Sequence, residues 1–204
     1  MKAFILASNS PRRKELLQQI HIPFQVDPSG VEEQVPPGLS PKQTVLCLAR
    51  QKAADVAKRH QGSCVIGADT LVVLNGQCLG KPMDCEDALR MMHLLTGKMH
   101  QVMTGVVVLD TATGKQVEAV EITDVTMGPL SEERMLQYVA SCEPMGKAGA
   151  YAIQGTAAAF IEKIDGCYNN VVGLPLYRLC RLIDLLQPQR ESDKGGANGS
   201  EQRK

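Results

Sequence analysis

With 204 residues, 44% of them hydrophobic and 22% charged, the chain is sized for one domain, or one domain with a small second lobe. Its 22 Lys and Arg balance 22 Asp and Glu, so no global charge draws it to nucleic acid or to an anionic membrane, and any anion must be held by a local site. Aromatic residues are only 3% and Trp is absent, which leaves little from which to build a base-stacking surface.

In chain order, residues 3–7 read as a short buried strand, too short an apolar stretch for a signal peptide. Ser10 as cap and Pro11 at the first helical position start a helix with Leu16, Leu17 and Ile20 on its apolar side. Residues 27–39, with three prolines and two glycines, read as a loop. Ser40 and Gln43 form a capping box that opens a helix to about Arg59. A buried strand over 65–68 should end at Asp69, and 71–74 and 77–79 should pair across Asn75-Gly76. Asp84 caps a helix to Leu95, and a longer hairpin joins 100–109 to 115–127. Ser131 starts another helix, 150–164 reads as strand-rich with glycine breaks, and Pro175 opens a last helix to about Leu186. The domain is expected over 1–187 and a disordered polar tail over 188–204. No run reaches the about 18 apolar residues of a membrane span.

Seven cysteines form no C-x-x-C pair, and their odd number suits reduced thiols of a cytoplasmic protein better than a disulfide frame or zinc site. The four histidines, 21, 60, 93 and 100, lack metal spacing.

The first helix carries Arg12 and Arg13 in its first turn, where the dipole favours acids. A phosphate held by the helix end, nearby hydroxyls and two guanidinium groups would offset that repulsion; arginines pointing into water are the alternative. Asp69 follows an apolar strand, where a carboxylate faces the crevice of an α/β sheet as a base, a metal ligand or a turn former. Lys52 falls on the apolar arc of its helix and must snorkel or enter a polar pocket. Lys81, in Gly80-Lys81-Pro82, is a phosphate contact or a plain surface residue, and Glu33 is a candidate ligand that means little alone.

The segments LASNSPRRKELL (6–17), VEE (31–33), LARQKA (48–53), IGADT (66–70), LGKPMDCEDA (79–88), TGKMHQVMTGV (96–106), EPMGKAGAYAIQG (143–155) and NVVGLPL (170–176) together resemble the Maf family of nucleotide pyrophosphatases, also called septum formation inhibitor Maf-like proteins. The resemblance implies a two-lobed α/β fold of the Maf/HAM1-like (ITPase-like) kind around a long twisted mixed sheet with a central cleft. It implies hydrolysis of a nucleoside triphosphate between the α and β phosphates with a divalent cation, Mg²⁺ or Mn²⁺, and a homodimer. Asp69 matches the proton acceptor. Ser8, Arg13, Glu33, Lys52, Lys81 and Asp87 match other site positions, with Lys52 and Lys81 in catalysis and Glu33, Asp69 and Asp87 at the metal.

Within the family, one branch acts on dTTP and UTP and another on N7-methyl-GTP. Arg12, Thr70 and Gln154 match the first at the three distinguishing positions, where the second has Trp, Gln and Glu. A Gln amide can donate to a pyrimidine carbonyl and accept from N3–H. Gly146, Cys167 and Ala152 depart from the usual Asp, Asp and Gly, which puts rate in doubt more than reaction type. The alternatives are a nucleotide-binding regulator of cell division and septum formation with little turnover, and a pyrophosphatase with another base preference. A nucleic-acid-binding role is disfavoured by the charge balance.

Overall fold

The computed structural model describes residues 2–186; the tail expected over 188–204 lies outside them. One mixed sheet organises the chain. Strand β1 (Phe4–Leu6) leads to helix α1 (Pro11–Gln19), β2 (Phe24–Val26), α2 (Pro41–Ala57) and β3 (Cys64–Leu74). Then come β4 (Gln77–Leu79), α3 (Cys85–Leu95), β5 (Met99–Asp110), β6 (Gln116–Met127) and α4 (Glu132–Ala140). Two 3₁₀ turns (Ala148–Ala150 and Thr156–Phe160), β7 (Ile161–Asp165), α5 (Tyr168–Val172) and α6 (Leu176–Leu186) complete it. The strand order is β2-β1-β3-β5-β6-β7, with β4 also on β3. The β1 pairings are parallel and the others antiparallel.

The elements follow local chemistry. Ser40 and Gln43 form the reciprocal capping box, and Asp84 and Ser131 cap α3 and α4 through side-chain acceptors. Asn75 and Gly76 both have positive φ, 49° and 80°, as a tight hairpin requires.

Two expectations are corrected. The strand expected to end at Asp69 continues through Thr70 to Leu74, because β5 pairs with it from Cys64 to Val73. The segment 150–164 starts at the end of one 3₁₀ turn and holds a second, Thr156–Phe160, with strand only from Ile161. Its apolar side chains Tyr151, Ala157 and Phe160 cap a core cluster instead of joining a ladder. The short elements β2 and α5, too brief to show a period, have no counterpart in the pattern reading.

The site lies at a break in the sheet. On one edge of β3, β1 pairs as far as Leu6↔Ile66, and β4 pairs from Val72↔Leu79. Residues 67–71 therefore have no strand beside them on that edge. Both flanking strands run toward the break, so the chain leaves β1 into Ser8 and α1, and leaves β4 into Gly80 and Lys81, at its rim. This is a crevice at strand C-terminal ends. The core divides around it. Ile66, Ala68, Val106 and Val108 pack with α1 and α6, whereas Val72, Leu74 and Val102 pack with α3 and α4. These clusters are the two lobes, joined by the long strands. Helix α2 lies on the opposite face, its Ala49 and Ala53 against Ile5, Val65 and Val107.

Candidate active site

Successive residues of β3 point to opposite faces of the pleat, so the break exposes two chemistries at once. Asp69 turns toward α2. Its carboxylate accepts from Lys52 Nζ at 2.5 Å, and the same ammonium lies 2.8 Å from Glu33 Oε1. Lys52 thus enters a polar pocket, the less common outcome for a lysine on an apolar helix face. Its side chain is 14% exposed and that of Asp69 12%, while Glu33 approaches from the exposed loop at 44%.

Thr70 turns to the other face, toward α1. Arg13 Nη2 donates to Thr70 Oγ1 at 3.0 Å, Nη1 to Ser8 Oγ at 3.1 Å, and Nε to the Gly173 carbonyl at 2.9 Å. Three of its five N–H groups are committed and two remain. Burial lowers the Arg13 pKa from its ordinary value, opposed by the field of Asp69, lowered further by Arg12 and opposed also by Glu33. Burial also lowers that of Arg12, whose Nε reaches the Val172 carbonyl at 3.4 Å. Ser10 makes no side-chain cap; Ser8 Oγ instead accepts the Ser10 N–H at 3.2 Å. The first turn of α1 contains no acid, so its N–H groups and the two guanidinium groups leave an electropositive end at the cleft.

A cavity of about 510 Å³ joins the two faces, a size ordinary for a small-molecule site. Ser8, Arg12, Arg13, Glu33, Lys52, Asp69, Thr70, Lys81 and Gln154 all line it. Asp87 does not. Its carboxylate accepts from the Met83 N–H at 3.1 Å and from Arg90 Nε at 2.9 Å, inside the first turn of α3. Arg90 and then Met83 hold its pKa below the ordinary value. Asp87 is therefore occupied as a helix-end carboxylate, outside the cavity at which the resemblance would place it as a metal ligand.

Two carboxylates remain for a cation. Among the described residues no group of three or more His, Cys, Asp or Glu side chains is arranged to hold an ion. The pair still fits a hard divalent ion, since Mg²⁺ is commonly held by one or two carboxylates together with substrate phosphates and water. That Glu33 and Asp69 already meet at one ammonium shows that both can reach a shared cation.

Residues that pattern reading did not single out complete the walls. Lys147 lines the cavity and donates to the Glu143 carbonyl. Burial and then Arg12 lower its pKa, against Glu143. Tyr151 lines it too, its hydroxyl 2.7 Å from His100 Nε2. Both lie inside the segment 143–155, the signal that could have found them. Of the three departures, Gly146 and Ala152 line the cavity and Cys167 does not. The Cys167 backbone exchanges hydrogen bonds with Thr123 Oγ1, at 3.0 and 3.2 Å.

The sequence profile of a family described as Maf-like protein matches residues 3–186. A "dTTP/UTP pyrophosphatase" of Pelotomaculum thermopropionicum is 52% identical over 90% of this chain and 96% of that protein. Proteins of the same name are 49% identical in Alkaliphilus oremlandii, over 88% and 93%, and 48% identical in Methanosarcina barkeri, over 90% and 93%. Among solved structures, the Staphylococcus aureus Ham1 protein is similar with a TM-score of 0.46 at 17% identity, over 62% of this chain and 72% of that one.

Proposed function

The chain belongs to the Maf-like protein family, and we propose on that premise that it hydrolyses dTTP and UTP to the nucleoside monophosphate and pyrophosphate. The observation that carries the reading is the meeting of Asp69, Lys52 and Glu33 with the cationic start of α1 and with Lys81 around one cavity. The names of relatives at 48–52% identity support the choice of nucleotide.

In this reading the triphosphate lies across the break in the sheet. Arg13, with its two uncommitted N–H groups, Lys52 and Lys81 neutralise phosphate oxygens, and Ser8 fixes the Arg13 fork. Asp69, oriented by Lys52, takes a proton from the water that attacks the α-phosphorus. The new bond joins water oxygen to that phosphorus, the α–β bridge breaks in line, and pyrophosphate leaves with the bridging oxygen. The protein's contribution is mostly positioning and charge neutralisation. Glu33 and Asp69 would hold Mg²⁺ or Mn²⁺. Such an ion, when bound, offsets phosphate charge and lowers the pKa of water. Gln154 donates to a pyrimidine carbonyl, with Arg12 and Thr70 shaping that choice.

The proposal extends to a cytoplasmic homodimer. All seven cysteines are free thiols, which supports a reducing compartment, and the dimer is a family expectation. No helix among the described residues is long and apolar enough to cross a membrane.

The test is a panel of nucleoside triphosphates with Mg²⁺ or Mn²⁺, scored for pyrophosphate against orthophosphate. Pyrophosphate from dTTP and UTP is the expected product. Single orthophosphates, or binding without turnover, would overturn the reading.

A further inference from the structure

A hydroxyl ladder in the wall of the cleft runs between a donor-only group and an acceptor-only group. Thr70 and Thr104 oppose each other on β3 and β5, with their Oγ1 atoms 2.9 Å apart. At one end, Arg13 Nη2 lies 3.0 Å from Thr70 Oγ1 and can only donate. At the other, the Asn170 backbone carbonyl lies 3.4 Å from Thr104 Oγ1 and can only accept. Either hydroxyl can donate across the 2.9 Å contact; with the Thr104 proton given to the Asn170 backbone carbonyl, Thr104 accepts from Thr70. Thr70 has then given its proton inward and one lone pair to Arg13. One lone pair remains to face the cleft.

The ladder is sealed. Thr104 and Asn170 are 0% exposed, so water does not compete for these groups. Asn170 is itself pinned, its Nδ2 donating to the Val102 carbonyl and to Thr123 Oγ1, each at 2.9 Å.

Two consequences follow if Thr70 is held in this acceptor-only state. A phosphate oxygen presents only lone pairs, so the partner of Thr70 is a donor on the nucleoside and not the triphosphate tail. The exposed Gln154 cannot by itself distinguish uracil from cytosine, because turning its amide over exchanges donor and acceptor. A group of fixed polarity is needed for that.

We propose that Thr104 is a positioning residue for base selection. It holds Thr70 as an acceptor for the N3–H that uracil and thymine share, and so turns away cytosine, whose N3 carries a lone pair. The proposal rests on the reading of this protein as a dTTP/UTP pyrophosphatase, and it moves the N3–H contact from Gln154 to Thr70. Gln154 keeps the neighbouring carbonyl.

The experiment compares kcat/KM for dTTP, UTP and dCTP, by pyrophosphate release, in the wild type, Thr104→Val and Thr104→Ser. Valine keeps the shape and removes the hydroxyl, freeing the Thr70 proton to turn into the cleft. The dCTP to dTTP ratio should rise about tenfold or more in Thr104→Val, as expected for an unmatched buried polar pair. Thr104→Ser should keep the wild-type ratio. N3-methyl-UTP should be turned over about tenfold or more worse than UTP by the wild type, a comparison that needs no variant to fold. An unchanged ratio in folded Thr104→Val, an equal loss for every nucleotide, or ready turnover of N3-methyl-UTP would overturn the proposal. Absence of pyrophosphate release from dTTP and UTP by the wild type would instead remove the functional reading, and this inference with it.

Discussion

Lys52 Nζ stands between two carboxylates, 2.5 Å from Asp69 and 2.8 Å from Glu33. The three side chains come from different parts of the fold, and the carboxylate of Asp69, in the middle of β3, is the least exposed of them. Asp69→Asn keeps the shape and a hydrogen-bonding oxygen but cannot take a proton. It should lower kcat by about 10²–10⁴-fold, the range for a general base, with KM little changed. Lys52→Met leaves two carboxylates facing each other without their cation, and should raise KM as well as lower kcat. Steady-state pyrophosphate release separates the two patterns. An Asp69→Asn enzyme with full turnover would remove Asp69 from the chemistry.

Gln154 is exposed on the cavity wall and free to meet a base. Gln154→Glu replaces an amide with a carboxylate that only accepts. It should lose its bond to a pyrimidine carbonyl, and kcat/KM for dTTP and UTP should fall about tenfold or more. An unchanged nucleotide preference would take Gln154 out of base reading.

What was legible in the sequence was local. Pro11 at the start of α1, the Ser40–Gln43 box, Asn75-Gly76 and the caps Asp84 and Ser131 each act within a few residues, and each appears in the fold, whereas Ser10 stands at its helix end without a capping bond. The cleft residues were legible as a set of motifs, and all but Asp87 line one cavity. The rest depends on distant pairing. The break on the β3 edge exists because β1 and β4 stop short of each other, which no window of sequence encodes. Thr104 meets Asn170 across 66 positions, so its role appears only once the sheet is assembled. Asp87 misled because an acid in a first helical turn serves the helix as readily as it serves a metal.

Gly105 shows how the sheet controls the site. It lies opposite Asp69, and a Cβ there would sit 2.6 Å from the Val45 carbonyl oxygen and 2.9 Å from the Leu46 nitrogen. These are backbone atoms of α2, about two turns before Lys52. Gly105→Ala must push the helix off the sheet, and should cost about 1–3 kcal/mol of stability, as overpacking does. It should also lower kcat by drawing Lys52 from Asp69. Gly30→Ala, with nothing within 4 Å of its Cβ, is the control and should change stability by less than about 0.5 kcal/mol. Urea denaturation and turnover on the same samples check both effects.

His100 gives the fold a pH dependence of predictable sign. Its ring is 2% exposed, packs edge-on against Tyr151 and has no partner at Nδ1. Burial lowers its pKa from 6.5 to about 4. Between those values the unfolded chain binds a proton that the folded chain refuses, so stability rises with pH across this window. Acidifying from pH 6.5 to 4 should remove roughly 3 kcal/mol, at about 1.4 kcal/mol per pKa unit. Asp27 and Asp110, held down to about 2 chiefly by Arg59 and Lys2, act in a lower window. Their contribution is complete above about pH 4 and is lost as the pH falls toward 2, so the histidine effect can be read separately. His100→Gln keeps a hydrogen-bonding group for the Tyr151 hydroxyl and removes the titration. Its Tm should change less between pH 6.5 and 4 than that of the wild type, and a parallel pair of curves would show that another group governs this range.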